Sequence, residues 1–208
     1  LEPMTAQYLS QMMPMVRSET HFLLSVTEAT PEQRKAIVAE RDKGAREAAK
    51  LYAQSQYRVG PFQNTTERPE PRQLLQDALS AVAKPHLSDE QLARYKAEID
   101  RRAEDRKTLA IGNILAKLDQ DLVLGPQQRD ALRESLAKNW NPAWCPSLET
   151  FLYAEQFFPA IPDSVVVPSL NPKQKQVWQG MNRNRGGVIT SFGVINRIEA
   201  DDAFPADE

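Results

Sequence analysis

The sequence predicts an all-α protein of about six or seven helices, one of them long, with an irregular aromatic- and proline-rich C-terminal third. Three observations lead there. Apolar residues recur at three- and four-residue spacing over most of the chain up to Trp140. Four stretches, "ATPEQRK", "HLSDEQL", "VLGPQQR" and "SLNPKQK", each place a small or polar residue three positions before a glutamine, as a helix start does. Eight glycines are few and fifteen prolines are many among 208 residues, which suits helices punctuated by proline and argues against a glycine-turned barrel.

The elements follow in order. Met4, Tyr8, Met12, Val16 and Leu23 fall roughly on one face of a first helix ending near Val26, which Pro14 should kink or break. Thr30 opens a second helix with Pro31 at its first position, running to about Tyr57 on a stripe of Ile37, Val38, Ala45, Ala48 and Tyr52. Gly44 should weaken that helix by roughly 1 kcal/mol relative to alanine. "VGPFQNTTERPEPR" reads as a linker. A short amphipathic helix on Leu74, Leu75, Ala78, Leu79 and Val82 then ends at Pro85.

Ser88 starts the long helix, about 34 residues or about 50 Å, on Leu92, Tyr95, Ile99, Leu109, Ile114, Leu115, Leu118 and Leu122. Its middle, "DRRAEDRK", is polar nearly all round and should stand clear of the core. Gly125, Pro126 and Gln128 begin a helix carrying Leu132, Leu136 and Trp140. One helix is expected from Ser147 to Phe158, and Asn171 opens a last short one with Val177 and Trp178. This divides the chain into a helical hairpin (1–60), a linker (61–71), a hairpin with the long helix (72–140), an aromatic and proline-rich clamp with short helices (141–184) and an extended tail (185–208).

Composition narrows the class. A net charge of -2 gives no general reason to bind nucleic acid, and no apolar run approaches the roughly 20 residues that span a bilayer. Cys145 is the single cysteine, so no internal disulfide is possible. Leu1 in place of an initiator methionine suggests a chain processed or cut from a longer parent.

The four helix starts have a physical reason. The first N–H groups of a helix lack partners, and a cap side chain satisfies one while the glutamine three residues on reaches back to another. Thr30 with Gln33, Ser88 with Gln91, Gly125 with Gln128 and Asn171 with Gln174 fit that grammar, although Gly125 caps through its backbone alone. Two readings are open: four independent capping boxes, or repeated "L-T-x-x-Q"-type motifs. On the second, the chain resembles the helical periplasmic stress chaperones and metal-responsive accessory proteins that carry such motifs. The resemblance implies an extracytoplasmic bacterial location, motifs that close helical hairpins, and a helical dimer whose concave face holds protein clients. The block from Leu124 to Trp178 also resembles uncharacterised large bacterial envelope proteins, which implies a location and no activity.

Candidate chemistry is sparse. Met12, Met13, Met15 and His21 in "MMPMVRSETH" could hold a soft metal ion, while methionine at helical spacing more often fills a core. His21 and His86 share no local ligand spacing for zinc. Cys145, between Trp140 and Trp144 on one side and a proline on the other, reads as a packed thiol. Met12, Met13, Trp144, Phe157, Phe158 and Trp178 are the apolar side chains singled out for partner contact, against the reading that the aromatics form a satellite core. "NRNRGG" from Asn182 reads as a hinge and not a phosphate loop. Glu98 with Arg102 and Arg101 with Asp105 pair at four-residue spacing on a solvated face. No cofactor motif is present.

The sequence therefore predicts a non-catalytic extracytoplasmic protein-binding module, chaperone-like or a sensor accessory, with a protein partner or a homo-oligomer. The alternatives are a structural subunit of a larger envelope assembly, whose "GGVITSFGVI" tail would add a strand to a partner, and a metal-binding protein or enzyme.

Overall fold

A computed structural model describes residues 1–62, 69–145 and 158–181. Among them are seven α-helices and no strand: α1 (Glu2–Val26), α2 (Pro31–Tyr57), α3 (Pro71–Ala83), α4 (Asp89–Leu122), α5 (Pro126–Lys138), α6 (Asp163–Val166) and α7 (Pro172–Gly180), with 3-10 turns at Gly60–Phe62 and Val167–Ser169. The fold is all-α and the long helix has the expected 34 residues. The helix expected at Ser147–Phe158 lies almost wholly outside the described residues, and the hinge at Asn182 and the tail lie entirely outside them.

The described residues form two compact units whose boundary, after Ile99, falls inside α4. In the first, α1, α2, α3 and the start of α4 enclose Met12, Met15, Val16, Leu23, Ile37, Ala45, Ala48, Leu75, Leu79 and Tyr95. Helix α1 continues across Pro14, where a break was a possible outcome. The ring removes one backbone bond at a cost of about 3 kcal/mol. Burial of Met12, Met15 and Val16 on either side offsets it, at about 1.5–3 kcal/mol for each large apolar side chain.

Gly44 has a packing role that its helix propensity conceals. A Cβ there would lie 2.9 Å from Val82 Cγ2 and 3.3 Å from the Ala78 carbonyl oxygen, so α2 approaches α3 closely at this point. Gly44→Ala should gain about 1 kcal/mol of propensity and lose about 1–3 kcal/mol to overpacking, a net destabilisation in urea unfolding. With Val82→Ala in the background the same change should become stabilising.

In the second unit the end of α4, α5, α6 and α7 enclose Ile111, Ile114, Leu118, Leu132, Leu136, Phe158, Val166 and Trp178. Leu109, expected on the apolar stripe, is instead 69% exposed. The buried stripe runs through Ala110, Ile111, Ile114, Leu115, Leu118 and Leu122, and Leu109 lies on the other side of the helix. Most of the "DRRAEDRK" segment is exposed, as its composition requires, with an Arg101–Asp105 pair at 2.9 Å.

Candidate functional site

The four helix starts lead to one arrangement built twice. Thr30, Ser88 and Asn171 are capping residues: their side-chain oxygens accept from the N–H groups of Gln33, Gln91 and Gln174, and each glutamine Oε1 accepts in return from the cap's N–H. Gln128 makes only the second of these bonds, from the Gly125 N–H at 3.0 Å, because glycine has no side chain to return the first.

The glutamines then pair. Gln33 and Gln91, 58 residues apart, each donate Nε2–H to the other's Oε1 at 3.1 Å. The remaining hydrogen of Gln33 goes to the His86 carbonyl at 2.9 Å, and that of Gln91 to the Thr27 carbonyl at 3.0 Å. Gln128 and Gln174 repeat the pattern: reciprocal bonds of 2.8 and 3.1 Å, Gln128 to the Ser169 carbonyl at 2.8 Å, and Gln174 to the Leu122 carbonyl at 3.1 Å. Each pair uses two donors and two acceptors per amide, the full capacity of the group. Independent capping boxes do not describe this geometry.

The joint before each pair shares a non-glycine residue at positive φ but not its hydrogen bonds. Helix α1 ends with Glu28 at φ 49, the Ala29 N–H donating to the Leu24 carbonyl and the Glu28 N–H to the Ser25 carbonyl. Helix α4 ends with Val123 at φ 52, its N–H donating to the Asp119 carbonyl, while the Leu124 N–H turns to Asp119 Oδ1. Ala29, Leu87, Leu124 and Leu170, the residues just before the four caps, are all buried. Burial corresponds across the two units. Met15, Val16, Thr20, Leu23, Thr27 and Ile37 match Ala110, Ile111, Leu115, Leu118, Leu122 and Leu132, all buried, at a constant shift set by Thr30 and Gly125. Leu75, Ala83 and Tyr95 match Phe158, Val166 and Trp178 at the shift set by Ser88 and Asn171.

At one matched core position a charged side chain stands opposite an apolar one. Glu19 is 1% exposed where the second unit has Ile114. Its carboxylate accepts from Gln76 Nε2 at 2.9 Å and pairs with Arg72, tying α1 to α3. The apolar run around Glu19 carries a signal for this: it stands four residues before Leu23 and three after Val16, on the buried stripe.

The other singled-out residues fall as follows. Met12, Trp144, Phe158 and Trp178, singled out for partner contact, are at most 4% exposed and pack within the cores. Their aromatic mass satisfies its own unit: Trp140 and Trp144 meet edge to face at 5.5 Å, and Trp178 Nε1 donates to Asp163 Oδ1 at 2.9 Å. Met13 is half-buried against the first core, and Phe157 lies outside the described residues. Met12 and Met15 are buried, whereas His21 is exposed beside Ser25 on the opposite side of α1 from Met12, so the methionines and the histidine do not converge. His86 pairs with Glu40 at 3.1 Å, and Cys145 is partly buried against the second core.

One apolar hollow opens on the first unit, about 270 Å³ in volume and lined by Leu1, Met4, Tyr57 and Val59. Leu1, Tyr57 and Val59 are 50%, 52% and 40% exposed. Neighbouring Tyr8 has its phenol pushed above the usual range, first by burial and then by Tyr57. Comparison of the chain with protein-family models, with curated proteins and with solved structures gives no match.

Proposed function

We propose that the chain is a non-catalytic, extracytoplasmic helical module that binds protein segments, in the manner of a chaperone or a sensor accessory. The observation that carries this reading is the exposed hollow formed by Leu1, Met4, Tyr57 and Val59. Tyr57 and Val59, exposed side by side beside Met4, offer apolar surface that another polypeptide can cover. The envelope location rests on the resemblance of the four glutamine-bearing helix starts to "L-T-x-x-Q" motifs.

The test is aggregation of a chemically unfolded client protein, followed by light scattering with the chain added at equimolar amount. Suppression is expected, and it should weaken about 10-fold in Tyr57→Glu/Val59→Glu, a change of about 1.4 kcal/mol, with the thermal midpoint unchanged. Full suppression by the double variant would remove the hollow from the reading, and no suppression by the parent chain would remove client binding itself.

A second reading, a subunit of a larger assembly, is favoured by a separate observation: Leu109 and Val123 are exposed on the second unit.

A further inference from the structure

The five methionines of the chain fall into three environments. Met12 and Met15 are 0% and 1% exposed inside the first core. Met13 and Met181 are half-buried, packed against the first and the second core respectively. Met4 is half-buried as well, but it stands in the first turn of α1 and lines the open hollow with Leu1, Tyr57 and Val59. Those three neighbours are each at least 40% exposed, so water and small solutes reach the hollow.

Methionine differs from leucine and valine in one chemical respect. Its thioether sulfur is oxidised by peroxides to a sulfoxide, which turns a flexible apolar side chain into a polar one. Susceptibility follows exposure. The packed thioethers of Met12, Met15, Met13 and Met181 are therefore shielded to different degrees, and Met4 is the one presented at a water-filled apolar surface.

We infer that Met4 is the preferred oxidation site of the chain and that its sulfoxide switches the hollow from apolar to polar, releasing what it holds; the inference rests on the protein-binding reading of that hollow. The oxidant is hydrogen peroxide. The sulfur lone pair attacks one peroxide oxygen, and the O–O bond breaks as the S–O bond forms. The proton on the transferred oxygen passes through solvent to the leaving hydroxide, which departs as water. Sulfur loses two electrons and the peroxide gains them. The new S–O group holds water, and an apolar segment would have to displace that water without returning a hydrogen bond, which weakens its binding about 10-fold. Leu1, Glu2 and Pro3 beside Met4 are exposed, so the change falls at the open end of α1 and spares the core. Methionine sulfoxide reductases, one for each epimer, return the thioether, so the switch is reversible.

Peptide mapping by mass spectrometry after graded hydrogen peroxide treatment of the whole chain tests this. Met4 sulfoxide should form at least about 5-fold faster than sulfoxide at Met13 or Met181. Met12 and Met15 should stay reduced for as long as circular dichroism shows the native helical content. In the client-aggregation assay the oxidised chain should suppress about 10-fold less well than before treatment, and the two reductases should restore it. In Met4→Leu, peroxide should leave suppression at whatever level that variant starts from, while in Met13→Leu the loss should persist. Faster oxidation of Met13 or Met181, Met4 sulfoxide with undiminished suppression, or a peroxide loss that survives Met4→Leu would each overturn the switch. A chain that suppresses nothing before peroxide removes the client-binding reading and with it the release, whereas the oxidation site is read from the peptide map alone, so the two fail separately.

Discussion

Glu19→Ala is expected to destabilise the first unit by about 3 kcal/mol, and Glu19→Ile with Gln76→Leu to restore most of that loss. The carboxylate is buried, and its removal leaves Gln76 Nε2 without its acceptor and Arg72 without its counter-ion. Removing one partner of a buried pair costs about 3–5 kcal/mol, mainly through the charge left behind. Here the Arg72 side chain is 31% exposed and can rehydrate, which places the loss at the lower end. The aliphatic replacement follows from the chain's own second unit, where Ile114 fills the matched core position. Well-packed apolar residues commonly equal or exceed a buried ion pair in stability. Urea unfolding followed by circular dichroism at 222 nm reads the effect. A loss below about 1 kcal/mol for Glu19→Ala would mean the pair is already hydrated.

What the sequence disclosed and what it concealed separate by distance along the chain. Thr30, Ser88 and Asn171 cap helices at the positions the sequence indicates, and the 34 residues of α4 follow from Ser88 and its apolar spacing, because capping and periodicity are settled within a few residues. The pairing of Gln33 with Gln91 and of Gln128 with Gln174 depends on contacts 58 and 46 residues apart, and no local pattern contains it. Gly44 reads locally as a poor helix former, and only the approach of Val82 gives it a reason. Leu109 stands exposed where its spacing predicts burial. Residue type shows that a side chain is apolar, but not whether its helix turns it inward or outward relative to neighbours far away in sequence.

Gln91→Glu and Gln174→Glu should each cost about 2–4 kcal/mol, and this separates paired glutamines from plain capping boxes. At the third position of a capped helix, glutamate and glutamine serve equally well, and a carboxylate beside the helix N-terminus is favoured by about 0.3–1 kcal/mol. Four independent boxes would therefore leave both variants neutral or slightly more stable. In the paired geometry the Nε2 of Gln91 donates to the Thr27 carbonyl and to Gln33 Oε1, and a glutamate oxygen there would face two acceptors. Two hydrogen bonds are lost at about 1 kcal/mol each, and repulsion adds to that. Gln174→Glu has the same consequence against the Leu122 carbonyl and Gln128 Oε1. It can be followed by tryptophan fluorescence, since Trp140, Trp144 and Trp178 are the three tryptophans of the chain and all lie in the second unit. Gln91→Glu should shift the circular dichroism transition. A double-mutant cycle of Gln33→Ala with Gln91→Ala should show a coupling of about 1–2 kcal/mol, because either single change already breaks the shared pair of bonds. Additive losses would return the glutamines to the role of separate caps.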